Sequence, residues 1–169
     1  FTGGREMGRE EILAEVARHP CRLVLLTGGE PMLQRELPDL ARDLLERGYE
    51  VTVETHGQAP LGALPAEVVR IADVKTPGSG EPAGDLAWLG RLQPHDEVKF
   101  VVSSEEDFRW SLEVIRRHLL PGRATVLVGP VLGRVDPRDL ARWLLESGID
   151  ARLNLQLHKV IWGPDVQGV

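Results

Sequence analysis

The apolar residues of this 169-residue chain switch period repeatedly between helix and strand, and that alternation restricts the fold more than any other feature. Ile12, Leu13, Val16 and Ala17 share one helical face that begins near Arg9. Leu23-Val24-Leu25-Leu26 is an unbroken aliphatic run, the pattern of a buried strand. Leu37, Leu40, Ala41, Leu44 and Leu45 recur at i, i+3, i+4, i+7 and i+8, an amphipathic helix closed by Gly48. Strands are predicted at residues 50–54, 68–74 and 98–102. Ser104 and Asp107 are candidate caps for a helix with Phe108, Leu112, Ile115 and Leu119 inside. A strand at 125–128, a helix opened by Asp136-Pro137 and a last strand at 151–155 complete the series. The helix sequence Asp39-Leu40-Ala41-Arg42 returns as Asp139-Leu140-Ala141-Arg142, each helix reaching a glycine and then a strand. Such alternation implies an α/β fold, a parallel sheet with right-handed crossovers, as a single domain over 1–169.

Chemistry-bearing residues gather in the loops that directly follow strands. These are Gly28-Gly29-Glu30-Pro31, Thr55-His56-Gly57, the Lys75-to-Gly80 stretch, Ser103-Ser104 and Gly129-Pro130. In a closed or partly closed βα barrel those loops share one rim, where such folds bind and react. Residues 78–85, rich in Gly, Pro and acidic side chains, read as a flexible excursion.

Composition narrows the partners. A net charge of -6, from 20 basic against 26 acidic residues, gives no electrostatic footprint for nucleic acid or an anionic membrane. The aliphatic run at 23–26 is far too short to span a bilayer, and a cytoplasmic setting is expected. One cysteine excludes an internal disulfide. It also excludes an iron–sulfur cluster held wholly by this chain's own thiolates. Cys21 itself reads as a small core residue.

Thr27-Gly28-Gly29-Glu30-Pro31 is the sharpest local signal. Two glycines let backbone amides approach a ligand closely, and Glu30 places a carboxylate at a strand tip. The same residues also suit a plain strand-to-helix turn. Gly-Gly-Glu-Pro after a strand resembles the element by which radical S-adenosylmethionine enzymes hold the amino group of that cofactor. Val53-Glu54-Thr55-His56-Gly57 is similar to a Glu-Thr-Asn-Gly element, and Asp73-Val74-Lys75-Thr76-Pro77 to a Ser-Pro-Lys element. Val98-Lys99-Phe100-Val101-Val102 resembles a Lys-Phe-Val strand. The most restricted match is Gln156-Leu157-His158-Lys159-Val160-Ile161-Trp162-Gly163. Together these resemble the 7-carboxy-7-deazaguanine synthase family of radical S-adenosylmethionine lyases, in queuosine and deazapurine biosynthesis.

The resemblance implies a partial parallel βα barrel and a ring contraction. In that reaction 6-carboxy-5,6,7,8-tetrahydropterin becomes 7-carboxy-7-deazaguanine with loss of ammonia. It implies S-adenosylmethionine, a [4Fe–4S] cluster and Mg²⁺ as cofactors, an electron donor such as flavodoxin or ferredoxin, and a homodimer. It assigns cofactor contacts to Gly29, Glu30, Asp73, Val74, Lys75, Val128, Gly129, Pro130 and Val131. Substrate contacts fall to Thr27, Gln156, His158 and Val169, the last through its terminal carboxylate.

Gln156 and His158, two apart on the expected last strand, would share one face and read the pterin edge. His158 could also relay a proton, or simply be hydrogen-bonded beside Trp162. Three cluster cysteines and a neighbouring Thr for Mg²⁺ are absent, as is the first strand. The expectation is that cluster loop and first strand lie upstream of Phe1, leaving the chain inactive as it stands. His56 and Asp73 replace the family's usual Asn and Ser. His19, His95 and His118 read as solvated, and Trp88, Trp110 and Trp143 as packing. Glu105-Glu106-Asp107 fits a helix N-terminus without a metal. Two other functions stay open: another radical enzyme such as a glycyl-radical activase, and a cluster-free pterin- or nucleoside-binding module.

Overall fold

A computed structural model describes residues 4–57, 61–81, 84–163 and 166. Phe1 to Gly3 and the substrate candidate Val169 lie outside the described residues. The chain forms two compact units, Phe1–Ala72 and Asp73–Val169.

In the first unit, helix α1 (Arg9–Val16) leads to strand β1 (Leu23–Leu26), helix α2 (Leu37–Glu46), strand β2 (Glu50–Thr55) and the start of strand β3 (Val69–Val74). β1 and β2 are parallel with Leu26 opposite Val53, and β2 and β3 are parallel with Thr55 opposite Ala72. The amphipathic spacing of α2 is realised in full. Leu37, Leu40, Ala41 and Leu44 are buried against Leu13, Val51 and Val53. Arg47 ends the helix, and Gly48 turns out of it at φ +80°, a conformation that favours a residue without Cβ.

β1 departs from expectation. Val24 and Leu26 face the core, but Leu23 and Leu25 are 58% and 50% exposed. Among the described residues of this unit the outer face of β1 is left exposed, so an unbroken aliphatic run does not guarantee cover on both faces. Cys21, just before it, is exposed rather than a core residue.

The second unit holds the end of β3, strand β4 (Glu97–Val102), helix α3 (Glu105–His118), strand β5 (Thr125–Pro130), helix α4 (Pro137–Ser147), strand β6 (Arg152–Leu153) and helix α5 (Leu157–Trp162). β4, β5 and β6 are parallel. Alternate residues Val98, Phe100 and Val102 of β4 and Val126 and Val128 of β5 are buried, as a period of two requires. Phe108, Ile115 and Leu140 come in from α3 and α4, and the Phe108 and Trp143 rings lie 5.7 Å apart. Two of the expected caps hold, Ser104 accepting from the Asp107 amide and Asp136 from the Arg138 amide, whereas Asp107 lies inside α3 and is not its cap.

The C-terminal strand is shorter than predicted. β6 ends at Leu153, the Asn154 amide donates to the Val128 carbonyl, and the chain then turns into α5. Gln156 stands at its N-cap position without a side-chain cap bond, and His158 lies within it. With β6 ended at Leu153, Gln156 and His158 are not alternate residues of one strand, so the shared-face argument for them is overturned. Among the described residues no helix is long and apolar enough to cross a membrane.

Candidate functional site

The first unit's rim is built where β1 and β2 end side by side. Gly28 sits at φ +134°, where an L side chain is strained, and it turns the chain out of β1. Glu30 follows with its carboxylate almost entirely buried, 6% exposed. One carboxylate oxygen, Oε1, accepts from the Met32 amide (3.0 Å) and from the Thr55 hydroxyl (2.8 Å). The other, Oε2, accepts from the His56 amide (2.9 Å), with His56 Nε2 at 3.0 Å. An ionised carboxylate has about four acceptor positions, so these partners fill it. Thr55 Oγ1 in turn accepts from the Gly57 amide at 3.2 Å. Thr27 donates weakly to Glu54 at 3.4 Å.

Glu30 therefore ties the loop after β1 to the loop after β2. Gly28 and Gly29 are exposed, and their backbone is the surface left for a ligand. The motif marked this loop, but its tie to Thr55 was not foreseen. That tie depends on strand register, Leu26 beside Val53, and register is invisible in either motif alone.

The second unit carries a cavity of about 510 Å³ at the ends of its strands. Asp73, Lys75, Lys99, Arg134 and Gln156 line it, so cations outnumber carboxylates. That balance suits a ligand bearing an anionic group. Lys75 Nζ lies 2.8 Å from Asp73 Oδ2, which fixes the ammonium at the wall. Val74 and Val131 also line the cavity, whereas Val128, Gly129 and Pro130 are buried at the β5 tip. A Cβ on Gly129 would collide with the Asn154 carbonyl oxygen, so β5 and the chain leaving β6 meet there at closest approach. His158 is exposed and does not line the cavity. Of the cavity-lining cations, Lys99 enters the sequence reading only within the Lys-Phe-Val element, and Arg134 is not marked by any motif.

Among the described residues no group of three or more His, Cys, Asp or Glu is arranged to hold a metal ion. With Cys21 the one cysteine of the sequence, these residues do not fit a [4Fe–4S] cluster, which needs several thiolates.

The fold and rim place the chain in a class. It resembles the crystal structure of QueE from Escherichia coli, with a TM-score of 0.71 and 20% identity, over 89% of this chain and 64% of that one. That likeness establishes the parallel α/β architecture. Sequence relatives are more specific. The 7-carboxy-7-deazaguanine synthase of Koribacter versatilis is 44% identical, covering 100% of this chain and 82% of its own length. Those of Chlorobaculum tepidum and Methanospirillum hungatei are 38% and 37% identical, over 98% and 96% of this chain and 77% and 68% of their own lengths. No family profile matches the sequence. The chain belongs to the 7-carboxy-7-deazaguanine synthase family.

Proposed function

We propose that the protein acts in queuosine biosynthesis as a radical S-adenosylmethionine lyase. It converts 6-carboxy-5,6,7,8-tetrahydropterin to 7-carboxy-7-deazaguanine with loss of ammonia. The observation that carries this reading is 44% identity to a synthase across the whole chain. When bound, S-adenosylmethionine supplies the radical chemistry; the chain supplies binding and electrostatics.

In the first unit the exposed Gly28 and Gly29 backbone receives the cofactor's amino end. Glu30 presents its carboxylate there, and His56 Nε2, a partly exposed side-chain donor rather than a backbone amide, is the partner that a ligand ammonium displaces. Thr27, beside them, contacts substrate. In the second unit Asp73, Val74 and Lys75 take the ribose and adenine side, together with the β5 tip from Val128 to Val131. Lys99 and Arg134 add positive charge toward a carboxylate. Gln156 reads the pterin's donor and acceptor edge. A role for His158 or Val169 rests on family likeness alone.

Cys21 alone does not supply the several thiolates of a [4Fe–4S] cluster. An external electron donor, a homodimer and a cytoplasmic setting belong to the same reading.

The test is an anaerobic assay of the full-length gene product, reconstituted with iron and sulfide and given reductant, S-adenosylmethionine and the carboxytetrahydropterin. The expected products are 5′-deoxyadenosine and 7-carboxy-7-deazaguanine. Absence of both overturns the proposal.

A further inference from the structure

Asp107 belongs to an acidic run at the start of α3, where Glu105 and Glu106 are exposed. Asp107 alone of the three is buried, at 2% exposure. It is not needed to cap its helix, because Ser104 Oγ already accepts from the Asp107 amide. Its carboxylate serves groups outside the helix. Oδ2 accepts from the Ser103 amide (2.9 Å) and hydroxyl (2.7 Å), and Oδ1 from the amide of Gly78 (2.7 Å), 29 residues earlier. Gly78 lies so close that a Cβ there would collide with both Ser103 Oγ and Asp107 Oδ2. Two positions back, the buried Thr76 donates its hydroxyl to the Val101 carbonyl at 3.0 Å. The loop after β3 is thus pinned on both sides of Pro77, once to β4 and once to Asp107. Thr76, Gly78 and Ser79 line the cavity with Lys75, which immediately precedes them.

We propose that Asp107 is a positioning residue that sets the loop after β3 and, through it, the affinity of the cavity for S-adenosylmethionine. The second part rests on the function proposed above. Asp107→Asn keeps the size of the side chain but leaves one acceptor oxygen for three donors. Gly78→Ala disturbs the same contact from the loop side while leaving the sequence of α3 and the net charge unchanged.

The experiment has two readouts on the reconstituted full-length enzyme. Hydrogen exchange is followed by mass spectrometry, and S-adenosylmethionine affinity by equilibrium dialysis. In each variant, exchange over residues 76–80 should rise about tenfold, as expected for loss of one charge-assisted hydrogen bond. Exchange over residues 110–118 of α3 should stay within about twofold of wild type, since the Ser104 cap remains. Affinity should fall about tenfold in both variants. The proposal is overturned if loop exchange or affinity is unchanged in Asp107→Asn, or if α3 loosens as much as the loop. If that variant does not fold, Gly78→Ala decides by the same criteria. If wild type binds no S-adenosylmethionine, the affinity half falls with the function, while the exchange comparison still decides the positioning.

Discussion

Removing the Thr55 hydroxyl should unfasten the first unit's rim. Thr55 is 2% exposed, donates to Glu30 Oε1 at 2.8 Å and accepts from the Gly57 amide at 3.2 Å. Thr55→Val is close to isosteric, so packing is preserved while both bonds vanish. A hydrogen bond to a charged acceptor contributes about 1.5–3 kcal/mol, and a buried amide left without an acceptor costs a further ~1 kcal/mol or more. The expected loss is about 3 kcal/mol. In a chain of this size that lowers the melting temperature by roughly 6–12 °C. Thr55→Ser is the control, because it keeps the hydroxyl and loses one buried methyl, for about 1 kcal/mol. Urea denaturation of both variants beside wild type measures the difference. A loss in Thr55→Val no larger than the ~1 kcal/mol expected for the methyl in Thr55→Ser would show that the two hydroxyl bonds do not fasten the rim, and the account of Glu30 as a rim tie would be wrong.

Three further outcomes are expected. For Asp107, burial raises the carboxyl pKa, but the Ser103 hydroxyl and the Ser103 and Gly78 amides, with Thr76, outweigh it and hold the group below its ordinary 3.8. The unfolded chain therefore binds more protons in that window, so this stability is present above pH 3.8 and is lost as pH falls through the lower folded value. Urea midpoints at a series of acid pH values should fall less steeply for Asp107→Asn than for wild type; parallel curves would contradict the sign. Gly129→Ala should cost about 1–3 kcal/mol by thermal melting, the usual range for overpacking, because the new methyl meets the Asn154 carbonyl; a neutral result would mean β5 and the following chain separate freely. Leu119 ends α3 at φ +51° with its side chain 67% exposed, so Leu119→Gly should stabilise by about 0.5–1 kcal/mol, and a lowered melting temperature would count against strain there.

The order of helices and strands was legible because each element buries one face and its period survives in the residues. Element ends were harder. Gly129-Pro130 reads as a turn, yet both residues pair in β5, opposite Val101 and Val102. The neighbouring strand supplies partners there that local turn preference cannot reveal. The reverse happened at the C-terminus. Residues 151–155 have strand-like composition, but only Arg152 and Leu153 pair, both exposed, so little burial favours extension.

The site divides along similar lines. Glu30 could be found because a carboxylate between two glycines and a proline is rare at a strand tip and carries its own local logic. What the carboxylate does could not, since its partners Thr55 and His56 come from another motif and are brought within 3.0 Å by register alone. Asp107 is the opposite case. Its neighbours Glu105 and Glu106 make it look like charge placed to suit a helix dipole, and that explanation is sufficient for them. One position further on, the helix turns another carboxylate inward onto Gly78 and Ser103. Read forward, the sequence offers three equivalent carboxylates. Only a glycine that tolerates no Cβ, 29 residues away, distinguishes the third. A glycine in a rim loop with no turn to make is therefore worth tracing to whatever side chain lies against it.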